Sequence, residues 1–476
     1  MKKSLFSIVT AAVLALSTTA MAEESPKAYQ PPAYELSIPT EIRLSDGSSL
    51  PLAAGNEPLT IEEAVSLGLE QHESIQEARA AVAQALARIE QSRAPARPNL
   101  NLSASYQNPL YFHAESANSG LSNLNIPGLS GAGSFASFFA QAPEGTQESL
   151  SLRQLLFDFN QTRSSVRSAK AQARAAEAGV RIARQDLAYQ IRSAFLQLLN
   201  SQRLAKVRMM AVENQAVHIE EARKLFDAGI GLPVDVVRAQ TEYAKQVNEF
   251  TKQRNQALMD RVKLAALLGV DPRTPFEIEE PAIEVDPDVQ LQGLVDQALA
   301  DKPGLAQTEA QLESQKYQLE NAKASNNPRL TASLNFSGNQ VTPQPRTESL
   351  SLMFNLEWPL YDGGLAAAKA DEARAAIEQY SARLTREQRE VVEQVSNAYI
   401  QMQTAMQTLQ TSDVQVKGAE ESVRVASGRY RLGLSTFVEV LDAEQSLLTA
   451  RTDRVNSLAQ LEMAEAELKH AIGQSE

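Results

Sequence analysis

The stretch VVEQVSNAYIQMQTAMQTLQTSDVQVKGAEESVRVASGRY, residues 391–430, carries a long coiled-coil pattern. Apolar and small residues recur in it at alternating steps of four and three, which is the heptad spacing of a helical seam. Since no proline occurs between Asp362 and Arg431, we predict a helix of about 67 residues, roughly 100 Å long. Such a rod is far longer than a typical globular helix and indicates that a distance has to be spanned. The seam residues are Val391, Val395, Ala398, Met402, Ala405, Leu409, Ser412, Val416, Ala419, Val423, Ala426 and Tyr430.

Composition and charge exclude several classes of protein. The chain has 476 residues, no cysteine and a formal net charge of -13. Without cysteine it has no disulfide framework and no thiolate metal site, and its acidity argues against a nucleic-acid partner. Residues 1–22 have the pattern of a signal peptide, with Lys2 and Lys3 before an apolar core and Ala20-Met21-Ala22 at the cleavage site. We therefore expect an exported protein, without a transmembrane helix in its mature part.

One structural unit occurs twice along the chain. Pro98 and Pro328 are equivalent at an offset of 230, and Gly229 and Gly433 at an offset of 204. The change in offset reflects a long loop, residues 107–147, that is much shorter in the second copy. The predicted boundaries are a signal peptide at 1–22, an extended arm at 23–58, a first repeat at 59–269, a linker at 270–287 and a second repeat at 288–473.

Each repeat is predicted to contain a helix, two strands, a long helix and a further helix. The pattern of the first repeat predicts a helix at 60–93, strands at about 99–107 and 148–157, and helices at about 160–226 and 234–269. In the second repeat a helix is followed by strands at about 328–337 and 348–358 and by helices at about 362–430 and 436–473. The lengths allow two short helices to stack end to end beside each long one.

The strands alternate strictly between apolar and polar residues. Leu350, Leu352, Phe354 and Leu356 fall on one face of their strand, and the residues between them are mainly polar. Strands of this length with one apolar face fit a transmembrane β-barrel, although a soluble sheet with one solvated face is the alternative. Aromatic residues at the strand ends fit a membrane-interface girdle. These are Phe157, Phe159, Trp358 and Tyr361 at one end, with Tyr106, Tyr111 and Phe336 as candidates for the other.

Four strands are too few to close a barrel, and open strand edges are not tolerated in lipid. The chain must therefore oligomerise, because two copies supply eight strands and three copies supply twelve. An eight-stranded barrel is filled by its own side chains, whereas a larger one holds an open lumen. We therefore favour a homotrimer, with the loop 107–147 at the extracellular side as a surface loop or as a lid over the barrel mouth.

The sequence resembles the TolC family of outer-membrane efflux proteins, or channel-tunnels. The resemblance covers about Leu59 to Gly473 and rests on the duplication, on Leu156-Phe157-Asp158, on residues 358–364 (WPLYDGG) and on residues 430–443 (YRLGLSTFVEVLDA). It implies a trimeric 12-stranded β-barrel in the outer membrane, continuous with an α-helical barrel that extends into the periplasm. It also implies a periplasmic adaptor, an inner-membrane pump of RND, ABC or MFS type, and no cofactor.

The resemblance also implies roles for residues at the two hairpin tips. Acidic residues that line the family's periplasmic constriction match Glu439 and Asp442, with Asp235 as a further acid and Tyr430 as a tyrosine. Ser435 stands where the best-known member of the family has a constriction arginine, so Arg429, Arg431 or Arg238 is a candidate substitute. The capping-box pattern of residues 436–439 offers a competing explanation for Glu439. We expect the adaptor to contact the tips through Gly229, Ile230, Gly231, Gly433, Leu434 and Ser435, although the glycines also suit ordinary turns.

Two alternatives belong to other classes of protein. An enzyme is disfavoured because His72, His113, His218 and His470 show no ligand spacing, and acidic pairs such as Glu220-Glu221 are expected to face solvent. A trimeric surface adhesin or structural coiled-coil envelope protein accounts for the heptads but not for the duplicated strands. The sequence therefore predicts an outer-membrane exit channel for efflux or type I secretion, without specifying its cargo.

Overall fold

The computed structural model describes residues 42–43, 49–50, 58–108, 145–273, 276–281, 290–341 and 345–474. The signal peptide at 1–22, most of the arm at 23–58, most of the loop at 107–147 and part of the linker at 270–287 therefore lie outside the described residues. So do Tyr111 and His113. Within the described part of the chain, no helix is both long enough and apolar enough to cross a membrane.

The described elements follow the duplicated order. The first repeat contains α1 (Ile61–Gln71), α2 (Glu73–Arg93), β3 (Asn99–Gln107), β4 (Gly145–Phe157), α3 (Gln161–Asp227) and α4 (Pro233–Leu267). The second contains α5 (Leu291–Asp301), α6 (Pro303–Ala324), β5 (Arg329–Val341), β6 (Thr347–Glu357), α7 (Leu365–Arg431) and α8 (Phe437–Ala471). Two short strands, β1 (Ile42–Arg43) and β2 (Ser49–Leu50), pair with each other before the first repeat.

The first helix of each repeat is broken in two, which corrects the prediction of one continuous helix. At the break His72 has extended backbone, with φ -69° and ψ 136°, and its ring accepts a hydrogen bond from the Ser74 amide as the cap of α2. Lys302 stands at the equivalent position before Pro303 and is also extended. A residue that precedes proline is disfavoured in the helical region, which explains the second break. α1 begins with a capping box, in which Thr60 and Glu63 exchange hydrogen bonds of 3.0 and 3.2 Å.

The sheet is antiparallel in the order β3-β4-β5-β6, and its register aligns like residues across all four strands. One row reads Leu100, Leu152, Leu334 and Leu352, and the next reads Leu102, Leu150, Phe336 and Leu350. Polar rows alternate with these, such as Ser103, Ser149, Ser337 and Ser349. The polar face is cross-linked by hydroxyl hydrogen bonds of 2.7 Å and 2.8 Å within two of the strand pairs. One face of the sheet is therefore apolar and the other polar, as the alternation predicts.

The helices pack side by side as a wall. α3 packs against α1, α2 and α4 on one side and against α6 and α8 on the other. α7 packs against α5, α6 and α8. The short helices thus stack in pairs beside each long helix. Every seam residue predicted in α7 is buried or half-buried.

A buried ion pair joins the two repeats midway along the wall. Arg203 of α3 donates hydrogen bonds of 2.8 to 2.9 Å to both carboxylate oxygens of Glu462 in α8. A third residue, Glu280 from the connection between the repeats, accepts a bond of 3.2 Å from the same guanidinium. Burial disfavours the charged guanidinium, but these two carboxylates outweigh it and raise the pKa of Arg203. The fold class predicted from the sequence, four strands with long helices in a duplicated chain, is confirmed.

Candidate functional site

The end of the helical wall away from the sheet consists of two tight turns, one between α3 and α4 and one between α7 and α8. Gly229 and Gly433 have φ of 75° and 71°, a left-handed backbone that closes each long helix. The amides that follow, Ile230 and Leu434, bond back to the carbonyls of Leu225 and Arg429 at 3.0 and 2.9 Å. The glycines are thus required by the turns, so they do not by themselves indicate a contact surface.

The two turns expose apolar side chains. Ile230 and Leu434 are 74% and 65% exposed, although most side chains of this size are buried in an isolated fold. Leu232 and Leu432 beside them are exposed as well, and Gly231 lies between Ile230 and Leu232. Together these residues form an apolar patch at the extreme end of the molecule, which we name the tip patch.

Behind the tip patch a small core joins all four helices. It contains Ala222, Val236, Ala239, Tyr430, Phe437 and Val440. The Tyr430 and Phe437 rings lie 5.4 Å apart between centroids. The Tyr430 hydroxyl is buried and has no hydrogen-bond partner among the described residues, and the same is true of the half-buried Ser435 hydroxyl. Two donors are therefore available where the resemblance implies a constriction.

Asp235 is buried beside this core, at the start of α4. Burial raises the pKa of its carboxyl above the ordinary value, and Arg238, 4.0 Å away, partly opposes that shift. Burial also raises the pKa of Tyr430, and the charges of Asp235 and Glu221 add to the effect. The structure therefore brings Tyr430 and Asp235 of the predicted gate into one electrostatic environment.

Glu439 and Asp442 are placed differently, because both are exposed on α8. Within the described part of the chain neither carboxylate makes an ion pair or a side-chain hydrogen bond. The Thr436 side chain makes no capping hydrogen bond, so the capping-box explanation for Glu439 is wrong. Of the candidate arginines, Arg431 is paired with Glu221 at 2.8 Å and Arg429 bonds the Leu434 carbonyl at 3.4 Å. The two acids are thus left without a cationic partner among the described residues.

A third group of titratable residues, which sequence reasoning missed, lies one helical turn from the small core. The buried ring of His218 lies 3.2 Å from the Glu444 carboxylate and 3.4 Å from that of Glu221. Burial disfavours the imidazolium, but Glu444 and then Glu221 outweigh it and raise the pKa of His218. The expectation that Glu221 faces solvent is wrong, because it is half-buried between His218 and Arg431. The i, i+3 spacing of His218 and Glu221 was the one signal available in the sequence.

The aromatic residues predicted for a membrane interface surround the helix-side end of the sheet. Phe157, Phe159, Trp358 and Tyr361 are 54%, 43%, 57% and 90% exposed. The two phenylalanine rings meet edge to face at 4.7 Å. At the opposite end of the apolar face Arg346 pairs with Glu148 at 3.1 Å and with Glu348 at 3.0 Å. Phe336 lies one row inside this charged group, so it belongs to the apolar rows and not to their border.

The apolar face of the sheet is thus a bounded band. The ten residue steps from Glu348 to Trp358, which lies just past the end of β6, span about 34 Å and, with a strand tilt of about 40°, a height of about 26 Å. An outer-membrane barrel has an apolar band about 25 Å tall. Among the described residues no group of three or more His, Cys, Asp or Glu could hold a metal ion.

One known protein family matches most of the length of the chain. The profile of the "Outer membrane efflux protein" family matches residues 64–270 and 294–474. Nodulation protein T of Rhizobium leguminosarum bv. trifolii is 24% identical over 429 residues, which cover 88% of this chain and 86% of that protein. The outer membrane efflux protein BepC of Brucella suis is 23% identical over 332 residues, or 68% of this chain and 71% of its own.

Solved structures show the same fold. The outer membrane protein VceC of Vibrio cholerae superposes with a TM-score of 0.71 at 21% identity, covering 87% of this chain and 96% of its own. The agreement extends over the strands and the helical wall together.

Proposed function

The chain belongs to the outer membrane efflux protein family, whose members are exit channels of the outer membrane, and from that premise we propose that three copies form one channel. The family match extends over both repeats, which a surface adhesin does not explain. A family of efflux channels assigns transport to this chain, and we propose no catalytic role. We further propose that residues 1–22 direct export, that 23–58 form an extended arm before the first repeat, and that 270–287 link the two repeats.

The two unpaired edges of the sheet support assembly from several copies of the chain. Within the described part of the chain, β3 and β6 each pair with a strand on one side only. The apolar band requires lipid, and lipid does not tolerate unpaired backbone groups. Pairing β6 of one copy with β3 of the next satisfies both edges, and twelve strands leave an open lumen whereas eight do not.

Native mass spectrometry of the protein purified from outer membranes in detergent tests this assembly. We expect a complex of three chains that dissociates into monomers on heating and forms ion-conducting pores in planar bilayers. A stable dimer or a monomer at micromolar concentration would overturn the proposal.

The exposed aromatic residues complete the placement in the membrane. We propose that Phe157, Phe159, Trp358 and Tyr361 lie at the periplasmic interface, where amphipathic rings are favoured. The Glu148–Arg346–Glu348 group then lies at the outer surface, and outer-membrane lipid covers the band between them. This orientation puts the helical wall in the periplasm.

We propose that the tip patch docks a periplasmic adaptor that couples the channel to an inner-membrane pump of RND, ABC or MFS type. The proposed contact residues are Gly229, Ile230, Gly231, Gly433, Leu434 and Ser435, of which Ile230, Gly231 and Leu434 belong to the tip patch and the others adjoin it. An exposed apolar group at the end of a rod supports this role, because large exposed side chains mark interaction sites when they cluster.

Substituting Ile230 or Leu434 by Glu tests the docking. Because a buried unpaired charge disfavours an apolar contact, we expect each variant to lose export activity and adaptor co-purification at least tenfold. Met259→Glu is the matched control, since Met259 is 59% exposed on α4 and lies outside the tip patch. Trimer abundance in the outer membrane should be equal in all three variants. Unchanged adaptor binding by both tip variants would exclude the patch as the docking site.

The acids beside the tips are proposed as the periplasmic gate. Three copies place Glu439 and Asp442 around one axis as six carboxylates, with Asp235 and Tyr430 behind them. Like charges about 4 Å apart repel by roughly 4 kcal/mol at an effective dielectric of 20, so a closed ring would bind cations. The absence of a partner for either acid among the described residues supports this role.

A further inference from the structure

The polar face of the sheet and the adjoining helix ends border an open cavity of about 1650 Å³. Its walls come from the strands and from the ends of α2, α3, α6 and α7 nearest to them. The strand residues that line it, such as Asn99, Arg153 and Ser333, all belong to the polar rows. In the proposed trimer this cavity therefore opens toward the axis, away from lipid.

The charge of the cavity is opposite to that of the protein. Five cationic side chains line it, against two carboxylates, Glu357 and Glu372, which leaves 5 − 2 = 3 positive charges per copy. The chain as a whole carries -13. The remaining polar lining consists of amides and hydroxyls, which add donors without charge. We name the cationic set the basic collar; it consists of Arg88, Arg97, Arg153, Arg329 and Lys369.

Most of the basic collar is not neutralised by the fold. Arg97 pairs with Glu90 at 2.7 Å, and Arg329 donates to the neutral Gln161 amide at 2.7 Å. Arg88, Arg153 and Lys369 are exposed, and their side chains make no ion pair or hydrogen bond within the described part of the chain. Arg153 is flanked in its row by Asn99 and Ser333, which cannot neutralise it.

We propose that the basic collar is a binding site for oxyanions, namely carboxylate or phosphate groups carried by cargo in the channel. Guanidinium groups present paired donors that match the geometry of these anions. Since Arg97 is paired with Glu90, each copy contributes about two uncompensated positive charges, and three copies around one axis supply about six in a confined space, where field lines are focused. Lipid phosphates are excluded as the ligand, because the collar lies on the face of the sheet opposite the apolar band. This inference rests on the proposed trimeric channel.

The acidic gate and the basic collar then act in series on cargo of opposite charge. Cations are retained at the tips, and anionic groups are retained beneath the barrel mouth. The two ends of the channel should therefore differ in which ions block them, so that polyanions act from the barrel side and polycations from the tip side.

Blocking by tripolyphosphate in planar bilayers tests the inference on the full-length protein. Added on the barrel side, tripolyphosphate should block the wild-type current, and Arg153→Gln should raise the half-blocking concentration about tenfold, which is one lost charge-assisted contact. Lys369→Gln should raise it as well, and added salt should weaken the block in all channels. Arg79→Gln is the matched control, because Arg79 is exposed on α2 outside the cavity.

Two outcomes separate this inference from the proposed function. Failure to form trimers or pores would contradict the channel itself. Normal pores whose tripolyphosphate block is the same in wild type, Arg153→Gln and Lys369→Gln would overturn the collar and leave the channel intact.

Discussion

The two long helices, α3 and α7, are equivalent in the duplication and each has 67 residues, yet they are buried to different degrees. Twenty-one residues of α3 are buried and only nine of α7. The reason is their place in the wall. α3 has short helices on both sides, whereas the described neighbours of α7, which are α5, α6 and α8, leave its other side uncovered. Since the two helices are equivalent and equally long, the lower burial of α7 indicates that another copy of the chain packs against its uncovered side.

The two hairpin tips are also equivalent in the duplication, but they differ in charge. At the offset of 204 residues Asp235 corresponds to Glu439, and Arg238 corresponds to Asp442. The first repeat therefore pairs an acid with a base at i+3, 4.0 Å apart, whereas the second has two acids at the same spacing. Divergence after duplication has thus concentrated uncompensated negative charge on α8.

The largest effect is expected from a charge on the open side of α7. Ile400 and Val414 are two heptads apart, so they lie on one line along the helix, and they are 58% and 66% exposed in a single copy. If another copy covers them, Val414→Asp buries an unpaired carboxylate and costs about 3 kcal/mol or more at each interface. We expect trimers to be lost, as measured by native mass spectrometry.

Val217→Asp on α3 is the matched substitution for this comparison. Val217 is 54% exposed, but α3 already has neighbours on both sides. Its variant should remain trimeric. Equal loss of trimers in the two variants, or in neither, would contradict the assignment of α7 to the interface.

The next largest effect is expected from substitutions of Glu439 and Asp442, the acidic pair of the second repeat. Asp442→Arg recreates the acid and base of the first repeat, and Glu439→Gln with Asp442→Asn removes both charges. Either change should abolish the preference for cations and raise the half-blocking concentration of a trivalent cation at the tips about tenfold or more. Reversal potentials and single-channel block measure both properties.

The arginine of the first repeat supplies the control for the acids. Arg238→Gln leaves the charges of Glu439 and Asp442 in place, so cation preference should persist. Wild-type selectivity in the Glu439→Gln, Asp442→Asn double variant would place the gate elsewhere.

The sequence predicted most of this architecture because its signals are periodic. Heptads located α7, and the alternation in β6 located both faces of the sheet. The break at His72 was missed because one extended residue leaves the helical pattern on either side unchanged, whereas the break at Lys302 was signalled by Pro303 and was overlooked. The group of His218, Glu221 and Glu444, which we name the His218 cluster, was missed for another reason. Glu444 is 226 residues away from His218 and contacts it only through the packing of α8 on α3.

The His218 cluster has no counterpart in the second repeat, where the equivalent residue is Ser422. Its raised pKa means that the charged imidazolium is bound by Glu444 and Glu221 in the folded state. The stabilisation is complete below the ordinary histidine pKa of 6.5 and is lost as pH rises through the higher folded value. Hydrogen bonds to a charged group contribute about 1.5–3 kcal/mol.

We therefore expect His218→Gln to lower the Tm at pH 5.5 and to have little effect at pH 8.5. Glu444→Gln should show the same trend, and the double variant should lose little more than either single one. Arg431, Asp235 and Tyr430 surround the same core, so Arg431→Gln is needed to show that the pH dependence does not come from the Arg431–Glu221 pair. A His218→Gln effect that is equal at both pH values would contradict the titration of this histidine.

The smallest effect concerns the joint between strand and long helix. Asp158 and Asp362 cap the two helices alike, each accepting a 2.7 Å hydrogen bond from an amide four residues on. Between cap and helix the first repeat places Phe159 and Asn160 at positive φ, where the second has Gly363 and Gly364. A side chain in this region costs about 1–2 kcal/mol, and asparagine less than most. Gly364→Ala should therefore lower the Tm by about 1–2 °C, whereas Gly364→Asn, which copies the first repeat, should cost less. Equal Tm values for wild type and Gly364→Ala would show that the left-handed joint is not maintained in the second repeat.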